Sequence, residues 1–113
     1  MELESSRING TLVIRVNAER IDSAAAIRFK DAVRAAAAEG PAQVVLDLGR
    51  VDFVDSSGLG AIVAAMKFLG PARRLDLAGL TPEVNRVFRL TRMDTIFGIF
   101  DTVEAACAAK AVG

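Results

Sequence analysis

The sequence predicts an α/β domain: a mixed sheet with an antiparallel hairpin at its start, parallel strands after it, and about four helices. Three observations predict it. Asn9-Gly10 separates two strand-like runs, LESSRI and TLVIRV, and such a pair supplies the two positive-φ residues of a type I′ hairpin turn. Further on, short β-branched apolar runs alternate with helix-period stretches, the pattern of parallel strands joined by crossover helices. Gly-Pro pairs at 40–41 and 70–71 stop two of those helices, because Gly reaches the left-handed cap conformation and Pro cannot continue a helix.

Leu12, Ile14 and Val16 alternate, so the second strand has one buried face. Asp22 or Ser23 caps the next helix, in which Phe29 and Val33 lie one turn apart among small alanines. AQVVLDL reads as a strand buried on both faces. A helix follows from the serines at 56–57 to about Leu69, then a short strand, RLDLA, at 74–78. Thr81-Pro82-Glu83 combines a cap, a Pro at the first helical position and an acid in the first turn. TIFGIF, residues 95–100, predicts the last strand, and Asp101 with Glu104 predicts a capping box for a final alanine-rich helix. Phe53, Val54, Phe88, Phe97 and Phe100 are candidate core residues, Met66 and Met93 gap fillers, and Cys107 a small buried hydrophobe.

The 113 residues fit one domain, residues 1–113, and 52% hydrophobic residues suffice for one core with a surface left over for a partner. Net charge is zero and the arginines form no run, so no electrostatic footprint for nucleic acid is present. There is no histidine, which excludes a Ser-His-Asp or Cys-His relay within the chain and the usual His/Cys zinc sites. One cysteine cannot form an internal disulfide, as expected of a reducing compartment. The start lacks a signal-peptide pattern, and the longest uncharged stretch, Ser56 to Met66, is far shorter than the roughly 20 apolar residues of a membrane span. A cytoplasmic protein without membrane insertion is the expectation.

Residues 51–61, VDFVDSSGLGA, carry the candidate site. Ligands of open α/β sheets gather at the carboxyl ends of the strands, which places Asp55, Ser56 and Ser57 at that rim, with Asp22 beside them. The serines suit a helix cap. They equally suit a phosphate or a partner at a helix N-terminus, where unpaired N–H groups favour negative charge. In the helix, Leu59, Ile62, Val63, Met66 and Leu69 form one wide apolar stripe, taken as the core face. The opposite side carries Gly58, Ala61, Ala64, Ala65 and Phe68. The expectation is that Gly58, Ala61, Ala65 and Phe68 form a flat docking surface beside Ser56, so that a bulky charge at Ala61 abolishes partner binding and spares the fold.

FVDSSGLGAI, Phe53 to Ile62, resembles the signature of the STAS family in its single-domain form, the bacterial anti-sigma factor antagonists. GLTPEVNRVFRLTRMDTIFGIFDTVEAA, residues 79–106, is similar to the family's second half, and Asp22 matches the Asp ahead of its first helix. Two positions depart: no Gly precedes Asp22 within Ala18-Glu19-Arg20-Ile21, and Arg92 stands where the family favours Gly. The resemblance implies a STAS-type mixed sheet and a partner switch. The unmodified protein binds a histidine-kinase-like anti-sigma factor, which then frees its sigma factor. That partner, a serine kinase, phosphorylates Ser56, with Ser57 the competing acceptor, and a PP2C-type phosphatase resets the switch. The implied partner-binding residues are Asp22, Ser23, Asp55, Ser57, Gly58, Leu59, Gly60, Ala61, Ala65 and Phe68.

An enzyme is the weaker reading. G-x-S-x-G, a P-loop and a dinucleotide fingerprint are all absent, so no cofactor and no catalytic residues are assigned. Asp22, Asp52 and Asp55 read as caps and solvated turns in preference to a magnesium site. The alternative within the family is a STAS domain that is not phosphorylated: a scaffold, or a subunit of a signalling or lipid-transport complex.

Overall fold

A computed structural model describes residues 2–38 and 40–109. Strands β1 (Leu3–Ile8) and β2 (Thr11–Val16) form the antiparallel hairpin, with Asn9 at φ 51° and Gly10 at φ 79°. Strands β4 (Gln43–Asp47), β6 (Arg74–Ala78) and β7 (Gly98–Phe100) extend it in parallel, giving the order β1-β2-β4-β6-β7. Two further strands, β3 (Arg20–Ile21) and β5 (Phe53–Val54), form a separate parallel pair. At two residues each they are too short for any periodicity to reveal. The helices are α1 (Ser23–Ala36), α2 (Ser56–Leu69), α3 (Pro82–Leu90) and α4 (Val103–Ala109).

The sheet sorts its side chains by alternation. Leu12, Ile14, Val44, Leu46, Leu75 and Leu77 face α1, α2 and α3, where Phe29, Val33, Ile62, Val84 and Phe88 are buried against them. Val13, Val45 and Ala78 face α4 and its Ala106 and Cys107. Full burial of a Phe, Leu or Ile side chain contributes about 2–3 kcal/mol, so the three-helix layer supplies most of the driving force. On the α4 side the buried Gln43 accepts from Thr11 Oγ1 at 2.9 Å and donates to Asp76 at 2.7 Å and to the Ala106 carbonyl at 3.1 Å. That chain of bonds satisfies the polar groups trapped under α4.

Four expectations are corrected here. Helix α1 ends at Ala36, short of Gly40-Pro41, because Arg73 donates to the Ala37 and Pro41 carbonyls and so replaces another helical turn. Residues 95–97 do not join the last strand: a 3₁₀ turn, Met93–Thr95, occupies its start, closed by the Thr95 hydroxyl on the Arg92 carbonyl. Arg92 itself is left-handed at φ 62°, which explains why Gly suits that position. By contrast no residue of the Ala18–Ile21 segment has positive φ, so the turn before Asp22 requires no Gly. Thr102, not Asp101, caps α4, accepting from Ala105 N at 3.0 Å. Phe53 lies on the surface at 38% exposure, with only Val54 of its strand buried.

Candidate functional site

Two strand-to-helix turns lie side by side. The parallel register of β3 and β5 sets Arg20 opposite Phe53 and Ile21 opposite Val54. Each strand then runs through one extended Asp into a helix: Asp22 (φ −114°, ψ −172°) into α1 and Asp55 (φ −95°, ψ −173°) into α2. Asp22 Oδ1 accepts from Ala25 N at 3.1 Å, and Asp55 Oδ1 accepts from Gly58 N at 2.9 Å. The second oxygen of Asp55 accepts from Ser23 N at 3.3 Å, so one carboxylate serves both helices. Asp22 and Asp55 therefore act as caps, and the positive ends of two helix dipoles meet at one rim.

Ser56 and Ser57 are the first two residues of α2 and both are exposed. Asp55 does the capping expected of Ser57, which leaves both hydroxyls without a hydrogen bond to another described residue. Ser23 holds the equivalent first position of α1 and is also exposed.

The glycines differ sharply. A Cβ on Gly58 would overlap the Ile21 carbonyl oxygen, so only Gly lets α2 approach the end of β3 this closely. A Cβ on Gly60 would meet nothing within 4 Å. Gly in a helix costs about 1 kcal/mol relative to Ala, and the packing of this chain gives no reason for that cost at Gly60.

The expected docking surface is only partly available. Gly58, Ala61 and Ala65 are buried, Ala61 at 3% exposure, because α1 packs on the small-residue side of α2 and Gly58 closes on the ends of β3 and β5, while the sheet takes the other side. Small side chains there let two helices approach closely. The expected core stripe holds in Ile62 and Leu69, whereas Leu59, Val63 and Met66 are half-buried against the core. The small-residue side of α2, expected to be a docking surface, is thus a second buried face, and α1 covers it. Phe68 stays on the surface at 40% exposure, with the Arg34 guanidinium 5.2 Å from its ring centre.

Three surface residues at the rim escaped the sequence reading. The Arg20 guanidinium lies 4.0 Å from the centre of the Phe53 ring, and its Nε is 3.3 Å from Asp22 Oδ2. Ile27, one turn along α1 from Ser23, is 67% exposed. The Arg-x-Asp spacing was the available signal, since alternate residues of an extended chain share a face. Partial desolvation pushes the Asp22 carboxyl up, but the Arg20 hydrogen bond, the Ala25 N–H, the Arg20 charge and the Ala24 N–H together outweigh it and hold the group below its ordinary value.

The rim thus offers accessible hydroxyls next to carboxylates already engaged by backbone N–H groups, on a surface that carries little side chain at Gly60. Among the described residues, no group of three or more His, Cys, Asp or Glu is placed to hold a metal ion, and no helix is long and apolar enough to cross a membrane.

Comparison with known proteins gives a consistent picture. The family model described as the STAS domain matches residues 2–106. Over 110 residues the chain is 34% identical to BtrV of Bordetella bronchiseptica, which is assigned as an anti-sigma factor antagonist, covering 96% of this chain and 94% of that protein. It is 28% identical over 98 residues to the anti-sigma-F factor antagonist RsfB of Mycobacterium tuberculosis, covering 87% of this chain and 80% of RsfB. The crystal structure of an anti-sigma factor antagonist from Mycobacterium paratuberculosis superposes with a TM-score of 0.85 at 28% identity, covering 96% of this chain and 92% of that one.

Proposed function

This chain belongs to the STAS domain family, among the anti-sigma factor antagonists, and on that premise we propose that it is a phosphorylation-controlled partner switch of the cytoplasm. The unmodified protein binds an anti-sigma factor that is itself a serine kinase, and the sigma factor held by that kinase is released. The kinase transfers phosphate from ATP to Ser56, which ends the binding. A PP2C-type phosphatase restores the hydroxyl. The chain receives phosphate and does not itself catalyse a reaction.

One observation carries this reading: Asp55 caps α2, so the exposed Ser56 hydroxyl has no hydrogen-bonded role among the described residues. Ser57, one residue on, is the alternative acceptor. Gly60 supports the reading, because its missing side chain leaves open a path to the serines that the fold itself does not need. Asp22, Ser23, Asp55, Ser57, Leu59, Gly60 and Phe68 are assigned to the docking surface. Ala61 and Ala65 act beneath it by setting the α1–α2 distance, and Gly58 by letting α2 close on the end of β3.

Phosphate brings about −1.5 to −2 charges to the residue after Asp55. The N–H groups of α2 tolerate that charge in water. A close, desolvated interface opposes it through lost hydration and through repulsion from any acidic group of the partner.

The test is a tryptic map after incubation with ATP and the anti-sigma factor kinase of the same cell. Cleavage after Arg50 and Lys67 isolates both serines in residues 51–67. One phosphate on Ser56, lost from that peptide in Ser56→Ala, supports the switch. Phosphate on Ser57 moves the acceptor by one residue. Kinases that bind without modifying the chain favour the non-phosphorylated scaffold instead.

A further inference from the structure

We propose that the cleft at the foot of β6 binds a small organic carboxylate with an apolar body. The cleft exists because the last strand of the sheet starts late. Arg74 and Leu75 of β6 pair with Gln43 and Val44 on one side. On the other side β7 begins only at Gly98, opposite Asp76, since the 3₁₀ turn Met93–Thr95 takes up the chain before it. The space left beside Arg74 and Leu75 is a cavity of about 570 Å³, walled by Met66 and Lys67 at the end of α2 and by Ile96 after the turn. Pockets of that size take small ligands, with an apolar lining and a few polar groups that fix orientation.

The polar groups suit an anion. Asp76, 1% exposed, accepts from Gln43 Nε2 at 2.7 Å and holds Arg74 Nε at 2.9 Å. That grip fixes the guanidinium while its two terminal nitrogens bond to no other described residue. A guanidinium held this way presents paired donors to a carboxylate. Arg74 N donates to the Ala42 carbonyl on the β4 side, so alternation turns the Leu75 N–H toward the cleft. Lys67 adds a cation without an ion pair among the described residues. Arg73 adds another, bonded only to the uncharged Ala37 and Pro41 carbonyls. Three cations thus line the cleft beside one carboxylate, and that carboxylate is already engaged.

Met66, Leu75 and Ile96 supply the apolar walls, with Ile96 exposed to solvent. An inorganic anion would leave these walls wet, and a plain hydrocarbon would leave the cations unmatched. The lining therefore selects a molecule that carries both parts. The cleft lies at the C-terminal end of α2, roughly 20 Å along the helix from Ser56, so its occupant leaves the serine rim free.

The test is a titration of the full chain, labelled with nitrogen-15, with sodium octanoate as the probe. Acetate, octanol and orthophosphate serve as partial probes, each lacking one half of the proposed ligand. The expected result is saturable amide shifts at Gly70, Leu75 and Gly98 with octanoate, and binding at least about tenfold weaker for each partial probe. Lys67→Gln should weaken octanoate about threefold. Ile96→Asp, which sets a carboxylate on an apolar wall, should abolish its binding. Both side chains are exposed, so these variants test the cleft without challenging the fold. Shifts that do not saturate, octanol or orthophosphate binding as tightly as octanoate, or both variants binding like wild type would overturn the proposal.

Discussion

The Asp55 carboxylate accepts the Ser23 backbone N–H at 3.3 Å while capping its own helix through Gly58 N at 2.9 Å. One side chain thus ties the starts of two helices to each other and to the β3–β5 pair. Loss of an N-cap carboxylate costs about 1–2 kcal/mol, and here two helices lose an acceptor. Asp55→Ala should lower stability toward the upper end of that range, and Asp55→Asn, which keeps an acceptor oxygen, should lower it less. Urea unfolding at neutral pH measures the difference.

Gly58 and Gly60 should respond oppositely to the same change. Gly58→Ala drives a Cβ into the Ile21 carbonyl, against backbone that cannot step aside, and should destabilise by about 3 kcal/mol. Gly60→Ala meets open space and should stabilise by up to about 1 kcal/mol. If Gly60 serves the partner, that stabilised variant should bind the anti-sigma factor more weakly. Thermal melts paired with titration calorimetry separate the two effects.

Ala61 is a packing residue, so a charge there acts first on the fold. At 3% exposure against α1, Ala61→Glu buries a carboxylate without a partner, which costs several kcal/mol. The variant should unfold at lower urea or populate the unfolded state outright, with partner binding lost only as a consequence. Circular dichroism before any binding assay reveals this order of events.

Asp22 sets an acid-side dependence. Its folded pKa lies below the ordinary 3.8, so its ionised form is favoured by folding. The stability it contributes is present above 3.8 and is lost as pH falls through the lower folded value. Arg20→Ala removes the side-chain hydrogen bond and the charge that help depress it. The stability gap between wild type and Arg20→Ala should therefore be open at neutral pH and narrow on acidification, as read from urea midpoints across the acid range.

Much of this fold is written in local chemistry. Asn9-Gly10, Thr81-Pro82 and Gly70 each demand one backbone conformation, and each turn or cap forms where that demand places it. Ser56 and Asp55 could likewise be placed at a strand-to-helix rim, since a short apolar strand and a helical period flank them. What escaped depends on tertiary partners. The burial of Ala61 and Ala65 follows from where α1 packs, and a helical wheel cannot tell a face that meets another helix from one that meets a partner protein. The surface position of Phe53 follows from its pairing with Arg20 in a two-residue strand, where hydrophobicity alone argues for burial. The choice of Asp55 over the serines as cap depended on a carboxylate that could reach two helices at once.

The central claim is that phosphate on Ser56 switches partner binding, and affinity measured on one preparation before and after modification tests it most directly. The protein is titrated into the anti-sigma factor, then phosphorylated enzymatically, mapped to confirm Ser56, and titrated again. The account predicts a loss of affinity of about 100-fold or more, as like-charge repulsion and desolvation of several kcal/mol would produce. Equal affinity of the two forms would contradict it.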